Sequence, residues 1–196
     1  MVSQVTRVGE GSRARVGEGP AGTTVSIRRA TARDSRRLTR LVRVSRAYEG
    51  PYAPMIAGYR VGPDYIETHR VFLAVATGEA GDAAEAVRTD ERLLGFYALV
   101  LDPPELDLMF VADSAQGLGI GRRLVEHMTD EARGAGLDAV RVVSHPPAEG
   151  FYRSVGARRT GTVAANPPAV MWDRPELVIP VPAVAGCTRG SGAPLS

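Results

Sequence analysis

The stretch Phe110–Leu124, Phe-Val-Ala-Asp-Ser-Ala-Gln-Gly-Leu-Gly-Ile-Gly-Arg-Arg-Leu, constrains this chain more than any other. An apolar strand over Glu105–Val111 runs into a glycine-rich turn at Gln116–Gly121, and the pattern predicts a helix from about Ile120. Glycines at 117, 119 and 121 leave the backbone bare. Its N–H groups can then converge on one point at a helix N-terminus, where unsatisfied amides and the positive helix end both favour an anion such as phosphate. The plain alternative is a tight strand-to-helix connection with no ligand. A dinucleotide-binding fingerprint needs Gly-x-Gly-x-x-Gly early in the chain and an acid on the next strand. Here the spacing is Gly-x-Gly-x-Gly, the loop lies past mid-chain, and the next strand, Ala139–Ser144, does not end in an acid.

Two segments carry a family resemblance. Gln116-x-x-Gly119-x-Gly121 resembles the acyl-CoA pyrophosphate loop of the GNAT acyltransferase superfamily, Gln/Arg-x-x-Gly-x-Gly/Ala. Downstream, Ala148-Glu149-Gly150-Phe151-Tyr152-Arg153-Ser154-Val155-Gly156-Ala157 is similar to that family's later helix, Ala-x-x-Phe-Tyr-x-x-x-Gly-Phe/Ala. The matches stand in the family's order and separation, and the resemblance spans roughly Thr24 to Pro182. It implies an α/β (α+β) fold: a mixed, mostly antiparallel central sheet flanked by helices, with strands splayed at the acyl-CoA site.

The resemblance also implies acetyl transfer from acetyl-CoA to a primary amine by direct attack. The backbone amides of Gln116, Gly117, Leu118, Gly119, Ile120 and Gly121, with the side chain of Arg122, would hold the pyrophosphate; Arg123 is a weaker candidate. A backbone N–H at the end of the fourth strand, matched by Val111 with Phe110 beside it, would polarise the thioester carbonyl. Tyr152 matches the family's general acid, with Phe151 its neighbour at the cofactor. A phenol of pKa about 10 can protonate a thiolate whose conjugate acid has pKa about 8.5. The alternative is that Tyr152 only packs and hydrogen-bonds the cofactor. Where the family often carries Asn before this helix, the chain has Ser144-His145-Pro146-Pro147, with Pro147 at the Asn place; Ser144 or His145 would have to replace that contact.

Alternation along a strand puts Glu105, Asp107, Met109 and Val111 on one face. Glu105 and Asp107 are therefore candidates to take the ammonium proton, directly or through water, against the reading that both are solvated carboxylates. His69 and His145 are further candidates, and His127 is expected on the surface of the helix after the loop. A GNAT-like module that binds acyl-CoA without turnover is the competing function, and a longer acyl donor a third.

Composition sets outer bounds. The chain's 196 residues suffice for one domain with a real core. A net charge of +2 is too small to argue for a nucleic-acid partner, and none is expected. All 24 basic residues are arginine, the mark of a high-GC, bacterial coding bias. The single Cys187 rules out an internal disulfide framework and most cysteine metal sites, and no metal is expected. No run approaches the ~20 apolar residues of a membrane span, and no signal-peptide core opens the chain, so a cytoplasmic protein without a membrane partner is expected.

Met1–Thr23 and residues 183–196 read as flexible tails around a domain at 24–182. Strands are expected at Thr24–Ala30, Val71–Ala76, Leu93–Leu101, Glu105–Val111, Ala139–Ser144, Arg158–Val163 and Val170–Pro180. Thr77–Arg92 reads as a long polar connection. Thr31 or Asp34 caps a helix through Ser45 that buries Leu38, Leu41 and Val42 and carries Arg33, Arg36, Arg37, Arg40 and Arg43 on its other face. That arginine stripe reads as solvated, with an anionic partner the minority reading. Tyr48–His69 reads as a short helix plus loops, its tyrosines either lining an acceptor pocket or packing. Val178–Pro182 reads as an edge strand available to a second subunit. The acceptor, a small-molecule or peptide amine, is not named by any residue.

Overall fold

A computed structural model describes residues 17–18, 23–78 and 91–183. The expected tails lie mostly outside these residues, as does most of the Thr77–Arg92 connection. One part of the expected N-terminal tail is structured: Gly17–Glu18 (β1) pairs with Thr24 and Val25.

The elements follow the apolar pattern. Strands are Thr23–Arg29 (β2), Arg70–Gly78 (β3), Arg92–Leu101 (β4), Pro104–Val111 (β5), Ala139–Val143 (β6), Arg158–Val163 (β7) and Arg174–Pro180 (β8). Helices are Ser35–Arg43 (α1), Pro54–Ala57 (α2), Pro63–Thr68 (α3), Ile120–Gly134 (α4) and Glu149–Ser154 (α5). β3 is buried on both faces from Val71 to Ala76, which its unbroken apolar run requires. α1 buries Leu38, Leu41 and Val42, one stripe at i, i+3 and i+4, each worth roughly 1.5–3 kcal/mol. α4 buries Ile120, Leu124, Val125, Met128 and Ala132, and is stopped by Gly136 at φ 77°. There Gly136 N–H donates to Arg133 and Leu137 N–H to Ala132, both at 3.0 Å, the Schellman pattern.

The chain forms two compact units, one of residues through Ala98 with Leu108–His127, the other of Leu99–Asp107 with Met128 onward. In the first, strands pair in the order β1-β2-β3-β4 and on to the end of β5. Its core includes Leu38, Val42, Ile66, Val71, Leu73, Phe96 and Phe110. In the second, the start of β5 pairs with β6, then β8, then β7. The sheet is mixed and mostly antiparallel, with β5 and β6 parallel.

Four expectations need correction. The strand expected over Val170–Pro180 begins at Arg174; Val170 only bridges Asn166. It is not the edge: Val178 lies between Arg141 of β6 and Arg158 of β7, so β8 is paired on both sides and β7 is outermost. Its prolines, 175 and 180, sit at or near the strand's ends, where a missing donor costs least. The Tyr48–His69 region holds two short helices, not one, beside single 3-10 turns. Lastly, His127 is not a surface residue. It is half-buried, its Nδ1 is 2.8 Å from the hydroxyl of the fully buried Tyr97, and its ring lies 4.7 Å from that of Phe72.

Candidate active site

The glycine loop hangs between two anchors. On one side Phe110 is buried, its ring stacked between Phe96 at 5.8 Å and Tyr48 at 5.7 Å. On the other, Ile120 is buried at the start of α4. Between them Gln116, Gly117, Leu118 and Gly119 are exposed, Leu118 57% so. Gly117 and Gly119 have φ of 77° and 75°, the left-handed region where a side chain is strained, and no atom lies within 4 Å of where a Cβ would stand. The loop is thus shaped by backbone conformation and not by packing.

That shape leaves donors free. Leu118 N–H donates to Ala115 and Arg123 N–H to Gly119. Among the described residues, nothing accepts from the N–H groups of Gly117, Gly119, Ile120 or Gly121. Amides without an acceptor at the start of a fifteen-residue helix suit an anion. Arg122, exposed in the first turn, adds a cation. Gln116 does not face outward alone: its Nε2 donates to Asp113 Oδ1 at 3.1 Å, and the Asp113 carboxylate also accepts the Arg46 backbone N–H at 3.4 Å.

Val111, at the end of β5, is held by a close backbone approach. A Cβ on Gly95 of β4 would stand 2.7 Å from the Phe110 carbonyl oxygen and 3.3 Å from Val111 Cα. Only glycine allows that approach, and Ala112 N–H then donates to Leu94 at 2.8 Å.

The second unit holds the other motif. Tyr152 is buried in α5, its ring edge-on to Phe151 at 5.3 Å. The motif's Gly156, at φ 95°, ends the helix: its N–H donates to Arg153 at 3.1 Å and Ala157 N–H to Tyr152 at 3.0 Å. Before the helix, Ser144 is buried and its hydroxyl donates to the His145 carbonyl at 2.8 Å, while its N–H donates to Pro175. The Ser144 hydroxyl is therefore engaged within its own turn. His145 is buried as well, and burial lowers its pKa, so the ring is neutral at pH 7.

The alternation in β5 is as expected. Leu106, Leu108 and Phe110 are buried; Glu105, Asp107, Met109 and Val111 share the more open face. β5 and β6 pair at one position only, Glu105 opposite Arg141, as strands that part soon after their start would. Arg141 Nη1 lies 2.7 Å from Glu105 Oε2, and its Nε lies 2.6 Å from Glu176 Oε1. Glu105 is thus one arm of an ion triad, whereas Asp107 is exposed. Of the aromatic candidates, Tyr48, Tyr59 and Tyr65 pack against the core, and burial raises the Tyr48 phenol. His69 stands edge-on to Tyr65 at 4.6 Å. Among the described residues, no three His, Cys, Asp or Glu side chains come together as a metal site would need.

Residues 75–166, which hold both motifs, match the family model described as an acetyltransferase (GNAT) domain. This part of the chain, just under half of it, is GNAT-like. Solved GNAT structures share its fold. A GCN5-related N-acetyltransferase from Rhodopseudomonas palustris superposes with a TM-score of 0.64 over 88% of this chain and 99% of its own, at 12% identity. A Salmonella typhimurium protein solved with its cofactor acetyl-CoA gives 0.58, at 16% identity, covering 84% and 98%. Curated relatives include mycothiol acetyltransferase of Tsukamurella paurometabola, 36% identical over 81 residues (39% of this chain, 26% of the relative). Another is serotonin N-acetyltransferase 2 of Oryza sativa subsp. japonica, 39% identical over 61 residues (31% and 28%). The chain spans about a quarter of the length of these two.

Gly95 and Asp113 escaped the sequence reading. Gly95 interrupts the apolar run Leu93-Leu94-Gly95-Phe96, a cue to a close backbone approach. Asp113, three residues before Gln116, is a turn-forming residue at a strand exit.

Proposed function

We propose that this protein is an acetyl-CoA-dependent N-acetyltransferase acting on a primary amine. The observation that carries the reading is the set of amides of Gly117, Gly119, Ile120 and Gly121 at the start of α4, which meet no acceptor among the described residues. The residues fit the cofactor: they offer donors and a cation to a pyrophosphate, with no side chain in the way. Acetyl-CoA supplies the thioester whose acetyl group is transferred.

In this reading the loop amides and Arg122 bind the pyrophosphate. The Val111 backbone N–H, placed by the approach that Gly95 allows, donates to the thioester oxygen as it gains charge. The acceptor nitrogen forms a C–N bond as the C–S bond breaks; Tyr152 gives its hydroxyl proton to the departing thiolate, and a base takes the proton from nitrogen. Asp107 is the better base candidate. Glu105 is engaged by Arg141, and freeing it would leave a half-buried arginine with Glu176 alone. The relatives' names, with mycothiol and serotonin as their stated subjects, support a small-molecule acceptor without choosing one.

Isothermal titration with acetyl-CoA tests this. The wild type should bind at micromolar Kd, and the Gly119→Glu/Gly121→Glu variant should not bind; thiol release across an amine panel then identifies the acceptor. A folded wild type that binds no acetyl-CoA removes the proposal. A second reading, an acyl-CoA-binding module without turnover, is favoured by the Glu105 ion triad and the Ser144 hydroxyl turned onto its own backbone. Binding without thiol release on any amine would select it.

A further inference from the structure

The first unit has an open cavity of about 650 Å³ beside α1, lined among others by Ser35, Arg36, Thr39, Arg43, Arg60 and Val61. Neither the glycine loop nor the α5 motif contributes to it. Among the described residues, three of its lining side chains are arginines and no acid lines it. The neighbouring Asp34 is held by Arg28, with Arg37 close by.

The wall is built before any ligand arrives. Ser35 Oγ donates to the Val61 carbonyl at 2.6 Å, Val61 N–H donates to Thr39 Oγ1 at 3.0 Å, and Arg43 Nε donates to the Tyr59 carbonyl at 2.9 Å. Val61 itself is 1% exposed. The segment bearing Arg60 is therefore pinned to α1 by these hydrogen bonds, while the cations beside it meet no carboxylate among the described residues. Among the described residues, no carboxylate pairs with Arg36, Arg43 or Arg60. The Arg33–Arg43 stripe as a whole does not behave this way. Arg37, on the same helix, has Asp34 and Glu91 within 3.6 Å, so α1 neutralises one arginine and leaves others to the cavity. Guanidinium is the group best matched to planar carboxylate and to phosphate, which it can take with two parallel hydrogen bonds. A cavity of this volume accommodates a small molecule.

We infer that this cavity binds a small polyanion, with two or more phosphate or carboxylate groups distributed over Arg36, Arg43 and Arg60. The site is distinct from the proposed acetyl-CoA loop and does not depend on that reading. Because it is open to water, its affinity falls with salt.

The test titrates the full chain with tripolyphosphate and, separately, with citrate at low salt, in the wild type and in Arg36→Gln/Arg60→Gln. Both changed residues are exposed, so the variant keeps its fold, which a thermal melt verifies. The expected result is one equivalent of wild-type binding to at least one probe, weakened tenfold or more in the variant and by added NaCl. Which probe binds tells phosphate from carboxylate chemistry. Absence of wild-type binding to both probes, or isotherms unchanged in the variant, overturns the inference. Acetyl-CoA titrations of the same two proteins should coincide, so a failure here and a failure of the loop reading are separable.

Discussion

The glycine loop at 116–121 and the turn at 152–157 use the same device to opposite ends. Each places glycine in the left-handed region, Gly117 and Gly119 in one and Gly156 in the other. At Gly156 the conformation folds the chain back so that two N–H groups reach the carbonyls of Tyr152 and Arg153. That turn closes a helix and leaves nothing for a ligand. At Gly117 and Gly119 the conformation precedes a helix, and the amides it exposes find no carbonyl among the described residues. A positive-φ glycine after a helix satisfies the backbone; before a helix it leaves the backbone to be satisfied from outside. The motif glycines therefore differ in kind: the first two leave amides without an acceptor among the described residues, and the third sets where α5 stops.

Substitutions separate the two regions. Tyr152→Phe should have the largest effect, lowering kcat about 100-fold while the Kd for acetyl-CoA stays within about threefold. Steady-state kinetics with titration of the cofactor checks it, and an unchanged kcat would remove the general-acid role. Next, Gly119→Ala and Gly156→Ala should each lose about 1–2 kcal/mol, because alanine is strained at these φ values though space exists for its methyl. For a chain of this size that is about 2–4 °C in Tm per kcal/mol. Only Gly119→Ala should also weaken acetyl-CoA binding, about tenfold. Equal weakening in both variants would break the distinction between the two turns.

The smallest effect at neutral pH belongs to a control outside both turns. Asp34 is buried, which by itself would raise its pKa. Its hydrogen bonds from Arg28 and from the Thr31 N–H and hydroxyl outweigh that and hold the carboxyl below the ordinary range; Glu91, bonded to Arg28, is lowered too. A folded pKa below the unfolded value of about 3.9 means the stabilisation is present above that pH and is lost as pH falls through the folded pKa. Urea midpoints should therefore drop below about pH 4 in the wild type, and drop less steeply in Asp34→Asn. Parallel pH curves would show that this carboxylate is not the linked group.

Much of the fold was legible because its signals are local. The strand–loop–helix at 105–134, the alternation that buries Leu106, Leu108 and Phe110, and the α1 stripe all follow from periods of two or 3.6 residues. The left-handed glycines likewise need only the absence of a Cβ. What the tertiary structure alone decided are the pairings between distant residues. β8 took the inner place between β6 and β7, which no feature of Val178–Pro182 announces. Arg141 drew Glu105 and Glu176 from positions 36 and 35 residues away, changing a candidate base into an ion-pair partner. His127 gained Tyr97, and Arg60 joined the arginines of α1 around one cavity. A side chain's chemistry is written in its own residue, but its partner is chosen by sheet order and register, and these minimise the free energy of the whole chain at once.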